Sequence, residues 1–297
     1  TRLMIKTDLI MLSTGKEAIL LEGLIESIEG NTEGLGVHLL LVNQGPQRNW
    51  TSQDPKLSIE SIEVGQQMSL SAARNLGLKH LSQKNIEAKY LLFPDDDSTF
   101  KADFFQAIKP HLDLPKPLLA KICNVEDGGD YRSYPKIEKC GKTELKGIVA
   151  SVSLIIPFAL IAEIGPFDEK LGVGAKWGSS EDLDYYLRAC QLEEFCFLPE
   201  LKNYHPSRFG KYEQLGQPQI KKRFASYTDG YLAVHFRHRL EHQLGLFASK
   251  ALGGALLSIL KLNFNLASVY LWLYFYRIKQ KAYFRSLRKN NPEALAL

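Results

Sequence analysis

Three consecutive carboxylates follow an apolar run at residues 93–97, where the sequence reads FPDDD. The apolar run predicts a buried strand, so Asp95, Asp96 and Asp97 would lie where that strand ends. Three like charges side by side repel one another unless a cation or a set of hydrogen-bond donors meets them. This spacing therefore predicts a metal-assisted site.

A second acidic group lies within residues 177–188, where a glycine-containing approach leads into a helical pattern. Glu181 and Asp182 fall in the first turn of the predicted helix, a position at which the helix dipole favours negative charge. Capping of the helix alone would explain the presence of one of these two acids. Adjacent carboxylates after a flexible approach also suit a general base at the mouth of a cleft.

Two further residues extend the candidate site. His205 is a lone histidine, which is more often structural than a ligand, but carboxylates that already imply a metal make it a candidate third ligand. The helical pattern at residues 69–81 has apolar positions that predict core packing. On that helix, Arg74 and Asn75 either belong to the packing or orient an aspartate and contact a ligand phosphate.

The elements that would position these residues alternate along the first 120 residues. Apolar runs at 9–12, 37–42 and 90–93 predict strands, and the stretches 16–28 and 69–81 predict helices. This order is typical of an α/β fold with a mostly parallel central sheet flanked by helices. Ligands in such sheets bind beyond the carboxyl ends of the strands, where the acidic residues are expected.

Composition narrows the class of protein. Of the 297 residues, 45% are hydrophobic and 24% are charged, as in globular rather than disordered chains. Four cysteines, Cys123, Cys140, Cys190 and Cys196, show no C-x-x-C pair and no zinc-site spacing, so we expect reduced thiols. The apolar run at 9–12 is too short for a signal-peptide core, so we expect a protein that is not secreted.

The C-terminal part differs from the rest in composition, which predicts two domains, 1–215 and 216–297. Residues 251–276 contain Lys261 as their only charge, so a transmembrane helix is one interpretation. On a single helix, however, the small and polar residues share one stripe that only Asn263 breaks. This pattern favours an amphipathic helix that lies on an anionic membrane surface, packs on the first domain or forms a homodimer contact.

Together these segments resemble the family 2 glycosyltransferases of the GT-A type, with a Rossmann-like sheet, over about residues 8–207. The resemblance rests on the order and spacing of Ser13-Thr14-Gly15, Ala73-Arg74-Asn75-Leu76-Gly77, Asp95-Asp96-Asp97, Phe167-Asp168-Glu169, Glu181-Asp182 and His205. It implies a metal-dependent, inverting transfer of a sugar from a nucleotide-diphosphate donor to a hydroxyl of a glycan or polyprenyl-linked acceptor, in bacterial cell-surface polysaccharide synthesis.

The resemblance also implies roles for individual residues. Asp182 would deprotonate the acceptor hydroxyl, and Glu181 would contact the acceptor. Mn²⁺ or Mg²⁺ would be held by Asp97, Asp95 and His205. The donor-binding residues would be Ser13, Thr14, Asn43, Arg74, Asp95 and Asp96, with Thr14 and Asn43 near the nucleobase. Many members of the family place an acid after the second strand, whereas this chain has Asn43 there.

Two other functions are compatible with the sequence. A sugar-nucleotide nucleotidyltransferase usually has a glycine-rich, basic loop after its first strand, which residues 13–17 supply only in small part. A non-catalytic, membrane-associated glycan-binding scaffold would be favoured by loss of the acids. The basic tail at 277–289 is insufficient to indicate nucleic-acid binding. We expect a cytoplasmic protein, peripheral on the inner face of the cell membrane, whose donor sugar, nucleobase, acceptor and linkage the sequence does not specify.

Overall fold

The computed structural model describes residues 5–114, 116–142, 144–207 and 215–296. Within these residues the chain divides into two compact units. The first unit comprises the described residues up to Phe167 and those from Asp182 to Ser207, and the second comprises Asp168–Glu181 and the described residues from Leu215 onward. The predicted domain boundary at residue 215 stays a prediction.

Strands and helices alternate through most of the first unit. In chain order they are β1 (Ile5–Lys6), β2 (Leu9–Gly15), α1 (Ala18–Ile28), β3 (Val37–Asn43), β4 (Leu57–Glu63), α2 (Leu70–Ser82), β5 (Ile86–Glu87), β6 (Tyr90–Leu92), α3 (Ala102–Ile108), β7 (Leu118–Asn124), β8 (Lys139–Gly141), β9 (Leu154–Pro157), α4 (Ile161–Ile164), α5 (Glu181–Leu192) and β10 (Phe195–His205). Glu181, the first residue of α5, is grouped with the second unit.

The central sheet has the strand order β4-β3-β2-β6-β9-β7-β10-β8. Strands β4, β3, β2 and β6 pair in parallel, as do β7 and β10. Strand β9 runs antiparallel to both β6 and β7, and β8 runs antiparallel to β10. The predicted α/β class with a central sheet and flanking helices is confirmed, with the antiparallel strands making the sheet mixed.

The packing of the sheet follows from residue type and spacing. Both β2 and β3 are buried along their whole length, as their continuous apolar runs predict for central parallel strands. Helix α1 buries Leu21, Leu24, Ile25 and Ile28, whose spacing places them on one helical face. These side chains pack into the core beside β2 and β3, which leaves the carboxyl ends of the strands free to carry polar residues.

Glycine permits α2 to approach the sheet closely. A Cβ added at Gly77 would overlap Cδ1 of Leu12 on β2. Arg74 lies one turn before Gly77 on α2, and both residues are buried.

The expectation that the cysteines are all reduced is wrong in this structure, which pairs Cys140 with Cys196 in a disulfide. These two residues are directly opposite each other on the antiparallel strands β8 and β10. Their sequence separation of 56 residues gives no local spacing signal, so only the strand register brings the sulfurs together. Cys123 and Cys190 are buried free thiols.

The second unit is helical in its C-terminal part, with α6 (Gln217–Arg237), α7 (Lys250–Leu260) and α8 (Phe264–Asn290). The predicted single amphipathic helix over residues 251–276 is therefore wrong. The chain reverses at Leu262, whose φ is 55°, and the side chain of Asn263 caps α8 by accepting a hydrogen bond from the Leu266 amide. Asn263, which broke the sequence pattern, is the residue that starts a new helix.

Helices α7 and α8 pack against each other, and α6 also packs on α8. A Cβ added at Gly254 of α7 would lie 2.7 Å from the ring of Tyr270 of α8, so α7 and α8 are in close contact. Among the residues that the structure describes, none of the helices combines the length and the apolar character that crossing a bilayer requires.

Candidate functional site

The three aspartates occupy a tight turn immediately beyond β6. The Asp95 amide donates a hydrogen bond to Oγ of Ser98 at 3.1 Å, and the Ser98 amide donates to the Asp95 carbonyl at 3.1 Å. Phe93, just before the turn, is fully buried, whereas the carboxylates are partly exposed. The buried strand thus ends by directing its acids toward solvent, as the sequence predicts.

His205, the last residue of β10, meets these acids. Its Nε2 lies 3.1 Å from Oδ1 of Asp97 and 3.7 Å from Oδ2 of Asp95. One ligand atom from each of the three side chains falls within 4.8 Å of the others. The opposite ring nitrogen, Nδ1, donates to the Pro206 carbonyl at 3.0 Å, which fixes the ring with Nε2 facing the carboxylates. Two carboxylates and one imidazole are thereby gathered at one point.

A buried cation supports the cluster from the other side. The Arg74 side chain is 1% exposed, and its guanidinium donates a hydrogen bond to Oδ1 of Asp95 at 3.1 Å. The same oxygen accepts a hydrogen bond from Oγ of Ser151 at 3.4 Å. Arg74 also lies over the ring of Phe167, 5.4 Å from its centroid. Of the two interpretations of Arg74, orientation of an aspartate is the one that the geometry matches.

The pKa values of the acidic residues in this cluster shift in different directions. Burial alone would raise the pKa of Asp95, but the hydrogen bond from His205 and the charge of Arg74 lower it overall. Burial would lower the pKa of His205, but its two carboxylate partners raise it to about 10. Burial, together with the charges of Asp97 and Asp95, raises the pKa of Asp96 to about 6. Two cations therefore face Asp95, the His205 imidazolium and the Arg74 guanidinium, and the imidazolium also faces Asp97.

Asp182 lies at the start of α5, within electrostatic range of the same groups. Burial raises the pKa of its carboxyl, while hydrogen bonding to the Leu183 amide and the charges of Arg74 and Arg132 act in the opposite direction. A carboxylate whose pKa is raised is a better proton acceptor than an ordinary aspartate. Glu181 is grouped with the second unit, so the site described here contains Asp182 alone of that pair.

A buried ion pair holds α5 in place. Asp184 is fully buried, and its Oδ2 accepts a hydrogen bond from Nε of Arg188 at 3.0 Å. The rest of the guanidinium donates to the carbonyls of Ile164 and Pro166. These contacts tie the first two turns of α5 to the segment at 164–166.

An aromatic cluster joins α5 to the end of β6. Phe167 stacks on Tyr185 at a centroid distance of 4.2 Å and meets Phe93 edge-on at 5.1 Å. Asn75 fixes Phe167 by two hydrogen bonds, accepting from its amide at 2.7 Å and donating to its carbonyl at 2.9 Å. Asn75 is therefore a scaffold residue in this structure, one position along the chain from Arg74.

The ends of β2 and β3 adjoin the turn of aspartates. A Cβ added at Gly15 would overlap Oδ2 of Asp96, so the glycine makes room for that carboxylate. The Ser13 hydroxyl is buried and has no hydrogen-bond partner among the described residues. Oγ1 of Thr14 donates to the Val42 carbonyl at 3.2 Å, so this predicted nucleobase contact already has an internal partner.

Asn43 is also engaged within the protein. Its amide donates to Oε2 of Glu63 at 2.7 Å and to the Pro46 carbonyl at 2.9 Å. Its Oδ1 accepts from the Gly45 amide at 3.0 Å. Glu63 ends β4 and thus supplies an acid at this edge of the sheet, although it is distant from Asn43 in sequence. The predicted roles of Thr14 and Asn43 in base binding stay predictions.

The structure brings together most of the site residues predicted from sequence: Asp95, Asp96, Asp97, Arg74 and His205 lie around one turn, with Asp182 in electrostatic range. Sequence reasoning missed three supporting residues. Ser151 bonds to Asp95, Tyr131 contacts the His205 ring edge-on at 5.6 Å, and Arg132 influences Asp182. All three lie in the irregular middle third of the chain, where neither periodicity nor spacing distinguishes them.

Comparisons with known proteins identify the fold. No protein-family model matches the sequence, and no curated protein is similar to it in sequence. Among solved structures, S. aureus TarS 1–349 in complex with UDP-GlcNAc superposes with a TM-score of 0.54 at 12% identity, covering 95% of this chain and 91% of that one. The same TarS segment in complex with UDP gives a TM-score of 0.53 at 12% identity.

A longer structure of S. aureus TarS gives a TM-score of 0.50 at 14% identity. The match covers 77% of this chain and 39% of that one, so this chain spans about two fifths of the length of the longer TarS chain. At these identities the likeness establishes a shared fold.

Proposed function

We propose that this chain is a metal-dependent, inverting glycosyltransferase that uses a nucleotide-diphosphate sugar. One observation carries the proposal: Asp95, Asp97 and His205 converge with Arg74 at the ends of the sheet strands, in a fold shared with TarS. Because TarS was crystallised with UDP and UDP-GlcNAc, UDP-GlcNAc is the first donor to test. The proposed acceptor is a glycan or polyprenyl-linked hydroxyl at the cytoplasmic face of a bacterial membrane, in surface-polysaccharide synthesis.

The donor set fits a divalent metal. Two carboxylate oxygens and one imidazole nitrogen lie within 4.8 Å of one another, and such oxygen and nitrogen donors suit Mn²⁺ or Mg²⁺. Besides burial, the negative charges of Asp97 and Asp95 raise the pKa of Asp96, so a cation bound in this turn would be electrostatically favoured. Asp97, Asp95 and His205 would hold the ion, which when bound would neutralise charge on the departing diphosphate.

The chain's own residues would perform the remaining steps. The Arg74 guanidinium holds Asp95 in one orientation through a 3.1 Å hydrogen bond, and the ends of β2 and β3 would receive the nucleotide. Asp182 would take the proton from the acceptor hydroxyl, for which its raised pKa is suited. One carboxylate on the acceptor side is what direct displacement with inversion requires, and Asp182 would be that group.

A thermal-shift experiment tests the donor and metal assignments together. UDP, GDP, dTDP and CMP are each added with Mn²⁺ or with EDTA, because a ligand that binds only the folded state raises its stability. We expect UDP to raise the melting temperature in Mn²⁺, and both EDTA and Asp97→Ala to remove the effect. Asp113→Ala is the matched control, since the Asp113 side chain is 89% exposed. No shift with any nucleotide, or a shift that Asp97→Ala leaves intact, would refute the assignment.

A further inference from the structure

The last residues of α7, the turn that follows and the first residue of α8 carry a concentrated apolar surface. Within nine residues, six large apolar side chains are between 43% and 78% exposed: Leu256, Leu257, Ile259, Leu260, Leu262 and Phe264. Proteins that stay in solution rarely display so many such residues together without a partner. Helix packing accounts for the other face of α7, where Ala251, Ala255 and Ser258 are buried.

The exposed apolar surface continues along α8. Leu271, Phe275 and Ile278 follow Phe264 at intervals that keep all four on one side of the helix, and each is at least 44% exposed. The same stripe ends in Arg285 and Lys289, both exposed. An exposed stripe that passes from apolar to basic residues is typical of a helix lying in a membrane interface.

The charge of this region is of one sign. Between Glu241 and Glu293 the sequence contains eight lysines and arginines and no acid. Three of these basic side chains have partners within the second unit. Arg277 donates to the Phe247 carbonyl, Lys281 donates to the Leu244 carbonyl and Arg288 pairs with Glu241. The remaining five, Lys250, Lys261, Lys279, Arg285 and Lys289, are exposed.

We infer that α7 and α8 form a docking surface for an anionic lipid bilayer, with the apolar residues of 256–264 and the apolar stripe of α8 inserted among the headgroups. Anionic lipid complements both the apolar and the basic residues of this surface. A symmetric contact with a second copy would instead bring two surfaces of the same positive charge together. The inference goes beyond the proposed function, because it concerns the second unit and holds whatever reaction the first unit performs.

Co-sedimentation of the full chain with vesicles tests the inference. We expect binding to phosphatidylcholine vesicles that contain about one quarter phosphatidylglycerol, and little binding to phosphatidylcholine alone. Binding should weaken strongly between about 0.1 M and about 0.5 M salt, because screening shortens the reach of the basic side chains. Each basic residue near an anionic surface contributes about fivefold in partitioning, so Arg285→Glu combined with Lys289→Glu should reduce binding at least about 25-fold.

A second variant tests the apolar turn, in which Leu260→Ser, Leu262→Ser and Phe264→Ser are combined. These side chains are 65–78% exposed, so their loss should leave the melting temperature unchanged while reducing vesicle binding at least about tenfold. Ile19→Ser with Ile137→Ser is the matched control, because these residues of the first unit are 74% and 76% exposed; it should bind as the wild type does.

Three outcomes would overturn the inference. One is the absence of sedimentation with either type of vesicle. Another is equal loss of binding in the control and in the turn variant. The third is a stable dimer, measured by light scattering, that the turn variant abolishes while vesicles fail to bind the wild-type chain. That last result would assign the surface to a contact between copies.

Discussion

Replacing Asp96 should stabilise the protein at neutral pH. Burial and the charges of Asp97 and Asp95 raise the pKa of Asp96 from its ordinary 3.8 to about 6. Because the folded-state pKa lies above the unfolded one, this carboxyl contributes stability that is fully present below about pH 4 and is lost as the pH rises through about 6. Two pKa units correspond to about 3 kcal/mol, which solvent screening of a partly exposed group reduces to about 2 kcal/mol.

Urea denaturation in EDTA measures this effect directly. Asn cannot ionise, so Asp96→Asn should exceed the wild type in free energy of unfolding by about 2 kcal/mol near pH 8, and the gain should shrink toward pH 4. Mn²⁺ should narrow the difference near pH 8, because a cation compensates the neighbouring charges. Asp113→Asn is the matched substitution outside the cluster. A variant that is less stable than the wild type at pH 8, or a gain that grows as the pH falls, would refute this account of the turn.

Two further predictions concern how the site is held. Arg188→Met should lower the free energy of unfolding, measured by urea denaturation, by about 3–5 kcal/mol, because it removes the ion-pair partner of the buried Asp184. Adding Asp184→Leu should recover part of this loss. Simple additivity of the two changes would contradict an energetic coupling between Arg188 and Asp184. Gly15→Ala should cost about 1–3 kcal/mol and weaken UDP binding, since the new Cβ overlaps Asp96. Gly23→Ala, which has open space on α1, should be neutral or stabilising, and equal losses at both glycines would argue against a specific contact.

Local sequence patterns predicted the strands that are buried at the centre of the sheet. The runs that became β2, β3 and β6 are continuously apolar because they are buried on both faces. Strand β4 is not among the strands predicted from apolar runs, because its sequence LSIESIE forms the half-exposed edge of the sheet. Polar residues interrupt the apolar ones in this strand, so it lacks the continuous apolar run of β2 and β3.

The site shows the same division. Asp95 and Asp97 were predictable because three adjacent acids at a strand end are electrostatically unfavourable without a partner. The hydrogen bond from Ser151 was not predictable, because it depends on β9 lying between β6 and β7 in the sheet order. The disulfide between Cys140 and Cys196 likewise depends on strand register, which no spacing rule supplies. Asn263 was visible in the sequence as an interruption of the helical pattern, but the pattern did not show that a new helix begins there.

The most direct test of the proposed mechanism compares transfer and binding in one variant. Release of UDP from UDP-GlcNAc is measured with Mn²⁺ and a panel of glycan acceptors, alongside UDP affinity, for the wild type and Asp182→Asn. Loss of a general base should reduce turnover by about 10²–10⁴-fold while UDP affinity stays within about twofold of the wild type. Equal loss of both would contradict the role of Asp182, and unchanged turnover would show that another group accepts the proton.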